Sequence, residues 1–77
     1  IGDYVIAGVF KSDQNAIHFA EKLNGMNVKA DYGHLSEKNL WYVYLYKTTD
    51  INQAKKMRNE YRLTKLFRDA WLLTVLQ

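Results

Sequence analysis

Residues 40–46 read Leu-Trp-Tyr-Val-Tyr-Leu-Tyr. The run is too short for a buried helix and rich in aromatic and branched residues, so it specifies a strand. Side chains alternate along a strand, which puts Trp41, Val43 and Leu45 on one face and Leu40, Tyr42, Tyr44 and Tyr46 on the other. The first set suits a dry core. The tyrosine set suits a wet surface, because each hydroxyl needs water or a partner. A strand with two such different faces belongs to a sheet covered on one side only.

The rest of the chain supplies the cover. Tyr4 to Phe10 is a second apolar run with strand composition. Ser12 or Asp13 then offers a helix N-cap. Ala16, Phe19, Ala20 and Leu23 recur at helical spacing, and Gly25 stands where a left-handed stop is expected. Residues 27–32 alternate as a half-buried edge strand, and Gly33 to Asn39 reads as a polar connection. Asp50 with Gln53 forms a capping-box pattern ahead of a second helix whose inner stripe is Ala54, Met57 and Tyr61. Ala70 to Leu76 closes the chain as a last strand.

The predicted order is β-α-β-β-α-β. A faint repeat supports it: Phe10-Lys11-Ser12 leads into Asp13 and Ala16 much as Tyr46-Lys47-Thr48 leads into Asp50 and Ala54. Two such units with right-handed crossovers make an α+β, ferredoxin-like split βαβ fold: a four-stranded antiparallel sheet with two helices on one face. The first and third strands are then central. The other face is left for a partner.

Composition narrows the functions. A chain of 77 residues is expected to form one domain that buries only about 60% of its unfolded surface. It has no cysteine, so neither a disulfide nor a thiolate metal site is expected to reinforce it. The net charge of +3 tolerates an anionic partner without the dense basic patch of a typical nucleic-acid binder. No apolar run approaches the ~20 residues of a membrane helix. The chain opens Ile1-Gly2-Asp3 without a start methionine or signal peptide, so it is expected to be a module of a longer protein. His18 and His34 lack ligand spacing, and no nucleophile motif or glycine-rich phosphate loop is present. No catalysis, cofactor or metal is expected. Lys55, Lys56, Arg58 and Arg62 read as the solvated face of the second helix.

The expected open face gathers Tyr4, Tyr42, Tyr44, Tyr46 and Trp71 as an aromatic platform, joined by Ile6, Gly8 and Phe10. The small Gly8 is expected to leave room there for a ligand. In the last strand Trp71 and Leu73 are assigned to this face, with Ala70, Leu72 and Thr74 beneath. Cross-strand aromatic pairs also stabilise sheets without any function. Several on one uncovered face favour binding.

The motifs resemble a known family. Tyr-Val-Ile-Ala-Gly-Val-Phe-Lys-Ser-Asp-Gln-Asn-Ala at residues 4–16 is similar to the opening of a SPOR (sporulation-related repeat) domain, matching at Tyr4, Val5, Gly8, Phe10 and Ala16. The run 40–46, with Val43 and Leu45 at aliphatic positions, resembles the family's second sheet motif, and Ala70-Trp71-Leu72-Leu73 its closing strand. The resemblance spans almost the whole chain. It implies a non-catalytic module that binds peptidoglycan glycan strands stripped of stem peptides. It also implies a site drawn from Tyr4, Ile6, Gly8, Tyr42, Tyr44, Tyr46 and Trp71, and a place on the periplasmic side of the bacterial envelope in proteins such as those of cell division.

The chain departs from the family at Ile6, where many members carry glutamine. It departs again at Tyr42 in place of an arginine and at Tyr46 in place of a closing glycine. Aromatic contacts thus replace polar ones. Neither nucleic acid nor membrane is expected as a partner. Two alternatives keep the same face: single-stranded RNA, which stacks on aromatics of this topology, and a protein partner or second copy. Leu40 to Tyr46 lacks the glycines and basic residues of the RNA motif.

Overall fold

The computed structural model describes residues 2–76. Its elements are β1 (Gly2–Phe10), α1 (Asp13–Gly25), β2 (Asp31–Leu35), β3 (Leu40–Thr48), α2 (Ile51–Arg62), a short 3-10 turn (Lys65–Phe67) and β4 (Trp71–Val75). The strands form one antiparallel sheet in the order β2-β3-β1-β4. This is the α+β, ferredoxin-like arrangement, with β1 and β3 central.

One side of the sheet meets the helices. Val5, Val43 and Leu45 pack there against Ala16, Ala20 and Leu23 of α1, and Phe67 and Ala70 complete the cluster. Alanines at the inner positions of α1 let the helix approach the sheet closely, and Phe19 fills the space above β1. α2 contributes less: only Ala54 is fully buried, with Met57 and Tyr61 half-buried beside it. Its start is well specified, since the Asp50 carboxylate accepts from the amides of Asn52 (2.9 Å) and Gln53 (3.4 Å). The Asp50 amide goes to Thr48 Oγ1 at 3.1 Å, so the capping box closes with Thr48 where Gln53 was expected.

The end of α1 differs from expectation. Gly25 is not left-handed; Asn27 takes that conformation at φ 65°. Asparagine tolerates it through its short polar side chain. Asn24 then clasps the chain: its Nδ2 donates to the carbonyls of Ala20 (2.8 Å) and Ala30 (3.0 Å), and its Oδ1 accepts from the Ala30 amide (3.2 Å). Those bonds hold residues 28–30 off the sheet. The edge strand expected at 27–32 therefore lies at Asp31–Leu35, and Gly33, His34 and Leu35 belong to it instead of to a connection. The turn back ends at Asn39, again left-handed at φ 52°.

The two central strands are not evenly paired. Val5 lies opposite Tyr46, Ile6 opposite Tyr44, and Gly8 opposite Val43. Leu45 is an extra residue on one side of the Ile6–Tyr44 pair and Ala7 an extra residue on the other. Each is a β-bulge, and each reverses the facing of the residues that follow it on its strand. The two offset one another, so pairing resumes in its original register beyond them.

Candidate open-face groove

Direct opposition across the strands decides which side chains share the open face. The pair Ile6–Tyr44 extends to Trp71 on β4, and Tyr4 lies between Lys47 and Leu73. Tyr42 lies between Val9 and Gly33, Leu40 opposite Leu35, and Asp31 opposite Tyr44. The open face thus carries Tyr4, Ile6, Val9, Leu40, Tyr42, Tyr44, Lys47, Trp71, Leu73 and Val75, with Asp31, Gly33 and Leu35 along its β2 edge. Both helices lie on the other side.

Three expected members, Tyr46, Gly8 and Phe10, are not there. Tyr46 follows the bulge at Leu45, so it opposes Val5 and packs against the helix-side core. Gly8 follows the bulge at Ala7 and also turns inward. A Cβ built on it would meet Phe10 Cε2 at 3.0 Å and Phe19 Cε2 at 3.1 Å. Gly8 is small because two rings of the core close over it, and it leaves no room for a ligand. Phe10 turns inward with it and stacks on Phe19, ring centroids 5.5 Å apart. Trp41 faces the helix side as expected, but at the sheet edge, between Tyr32 (6.2 Å) and His34 (4.7 Å).

The remaining residues do not form a flat platform. Ile6 is only 1% exposed and Tyr42 only 6%, although no helix covers them. Their neighbours bury them. Tyr4 meets Tyr44 edge-on at 5.0 Å, and Tyr42 meets Trp71 edge-on at 6.2 Å. Such T-shaped pairs are the favoured geometry of aromatic quadrupoles. Between them lies a groove of about 210 Å³ lined by Tyr4, Ile6, Tyr42 and Tyr44 from the central strands, Gly33, His34 and Leu35 from β2, and Leu73 and Val75 from β4. Ile6 and Tyr42 form its floor. Trp71, 38% exposed, is outside this lining and rests on Tyr42 as a separate ring. Gly33, His34, Leu35 and Val75 were not among the site residues expected from sequence. Leu35 and Val75 sit two positions from Gly33 and Leu73, so strand alternation identifies them once β2 is placed correctly.

The groove is apolar and aromatic, with no lysine, arginine, aspartate or glutamate in its lining. At its rim the Tyr44 hydroxyl sits beside the Asp31 carboxylate. Burial first, then the negative charge of Asp31, raises the pKa of this phenol above its ordinary value. Tyr44 therefore keeps its proton at neutral pH and stays both a donor and an acceptor. The lysines and arginines of α2 belong to the helix layer, away from this face. Among the described residues no cluster of metal-ligating side chains occurs. Among the described residues no helix is long and apolar enough to cross a membrane.

Comparison with family models, with curated proteins and with solved structures found no match for this chain.

Proposed function

We propose that the domain is a non-catalytic glycan-binding module that holds peptidoglycan glycan strands, stripped of stem peptides, in the open-face groove. The observation that carries this reading is an uncovered groove lined mainly by tyrosines and aliphatic side chains, with Gly33 and His34 on its β2 side and no lysine, arginine, aspartate or glutamate. Sugar rings present weakly polarised C–H faces that lie well on aromatic rings, and tyrosine hydroxyls hydrogen-bond sugar hydroxyl and acetamide groups. Tyr4 and Tyr44 are the rings that offer stacking in the groove. Ile6 and Tyr42 shape its floor, and Trp71 extends the aromatic surface beside it. The SPOR-like motifs of the sequence point to the same ligand and to the periplasmic side of a bacterial envelope.

A lining without lysine or arginine argues against a nucleic-acid ligand, whose affinity comes largely from phosphate contacts with those residues. Co-sedimentation with purified cell-wall sacculi tests the proposal. The domain is expected to pellet with sacculi, more strongly after enzymatic removal of stem peptides, and with little change between low and physiological salt. Absence from the pellet together with steeply salt-dependent RNA binding would replace this reading with the nucleic-acid one. Absence from both, with a size that grows with concentration, would replace it with a protein interface.

A further inference from the structure

The glycine in the middle of β2 has no structural reason to be glycine. Gly33 is not at positive φ, so its backbone admits any residue. It is not crowded either: a Cβ built on it would meet only Tyr44 Cε1, at 4.0 Å, an ordinary contact. Gly8 is the contrast, since there a Cβ would press on two phenyl rings at 3.0 and 3.1 Å, and they would have to give way. Glycine inside a strand costs stability relative to a branched residue, and β2 is a short edge strand of five residues that has little to spare. What sets Gly33 apart is its position. It lies opposite Tyr42 on the open face and lines the groove, at the edge of the sheet where the groove meets solvent.

The groove also reaches Leu73 and Val75 on β4, the opposite edge strand. Three strand spacings separate the edges, about 14 Å at ~4.8 Å each. Gly33 lies level with Tyr42, whereas Val75 lies level with Gly2, near the far end of the central strands. The groove therefore crosses the sheet diagonally. On the β2 side its exit passes over a residue with no side chain.

We infer that Gly33 is the specificity-determining gate of this groove. Its missing side chain lets a linear chain run diagonally across the sheet and leave over β2, where a larger residue would close the groove into a pocket for a single ring. The inference rests on the glycan reading for the identity of the chain, and on the geometry of Gly33 for the gate.

The test uses Gly33→Ala and Gly33→Val, followed by thermal melts and by retention on stem-peptide-free sacculi. Gly33→Val is expected to raise the melting temperature by a few degrees through its strand propensity. It is also expected to weaken retention by about tenfold or more, the scale of one lost stacking contact. Gly33→Ala gives a smaller loss in the same direction. A destabilised Gly33→Val would mean that glycine is needed for folding, and would overturn the inference whatever the ligand. A stabilised Gly33→Val that is retained as well as the parent would overturn the gate while leaving the glycan reading intact. A parent domain that is not retained at all would remove the glycan reading and the gate together.

Discussion

Both faces of this sheet bury apolar side chains, but by different means. On the helix side, Val5 and Val43 are buried by α1 and α2, as a half-covered sheet requires. On the open side, Ile6 is as deeply buried with no element above it. Its cover is a set of tyrosines from its own sheet, paired edge-on at Tyr4–Tyr44 and Tyr42–Trp71. A sheet face in this small domain thus builds a second, shallow core from long aromatic side chains and still leaves a groove between them. The hydroxyl ends of the tyrosines reach water while their rings bury carbon.

The largest effect that would break this comparison is at Ile6. If the open face is a true second core, Ile6→Ala leaves a cavity and costs about 2–4 kcal/mol in denaturant unfolding. A loss under about 0.5 kcal/mol, the ordinary range for surface positions, would show that the tyrosines cover Ile6 only loosely. Next is the inward-turned glycine. Gly8→Ala forces a methyl between Phe10 and Phe19 and is expected to destabilise by about 1–3 kcal/mol. An unchanged melting temperature would remove the bulge-driven assignment of Gly8 to the core.

The pair Tyr44 and Tyr46 sharpens the comparison. Tyr44→Ala is expected to cost about 1 kcal/mol of stability, the scale of its edge-on pair with Tyr4. In sacculus binding the same change costs about 1–3 kcal/mol. Tyr46→Ala is expected to lower stability through lost packing against the helix-side core and to leave retention unchanged. If Tyr46→Ala abolished retention in a folded protein, both tyrosines would share one face and the bulge at Leu45 would be refuted.

The smallest effect is a pH dependence with one phenol on each face. Burial, then Asp31 and then Tyr4, raises the pKa of Tyr44; burial, then Glu60 and Tyr46, raises that of Tyr61. Both phenols hold their protons more tightly when folded than when unfolded. Their contribution is complete below the unfolded value near pH ~10 and is lost as pH rises through the higher folded values. Melts between neutral and strongly alkaline pH are expected to show a falling midpoint that Tyr44→Phe and Tyr61→Phe each reduce. An unchanged alkaline slope in both variants would assign the loss to other groups.

Much of the architecture was legible in the residues. The alternation of Leu40 to Tyr46, the alanine stripe of α1 and the cap at Asp50 are local signals, and together they specify the order β-α-β-β-α-β. The facing of Trp41, Val43, Leu72 and Leu73 followed from the same alternation. The site was legible only in part. Tyr4, Ile6, Tyr42, Tyr44 and Trp71 lie on the open face as expected, whereas Gly8, Phe10 and Tyr46 do not. Gly33, His34, Leu35 and Val75 entered only with the structure. β2 slipped because the Asn24 clasp on Ala30 joins residues six positions apart, and no periodicity carries that information.

The sequence by itself determined the element types, the polarity of the faces and the topology, because these depend on local propensity and on periods of 2 and 3.6 residues. Tertiary structure alone decided where the alternation breaks. A bulge is a mismatch between two strands, and neither Ala7 nor Leu45 announces one in its own run. Once those two residues fall out of pairing, every side chain beyond them on its strand changes sides. That single effect turns Gly8, Phe10 and Tyr46 toward the helices and leaves Tyr4, Ile6, Tyr42 and Tyr44 as the central-strand lining of the groove.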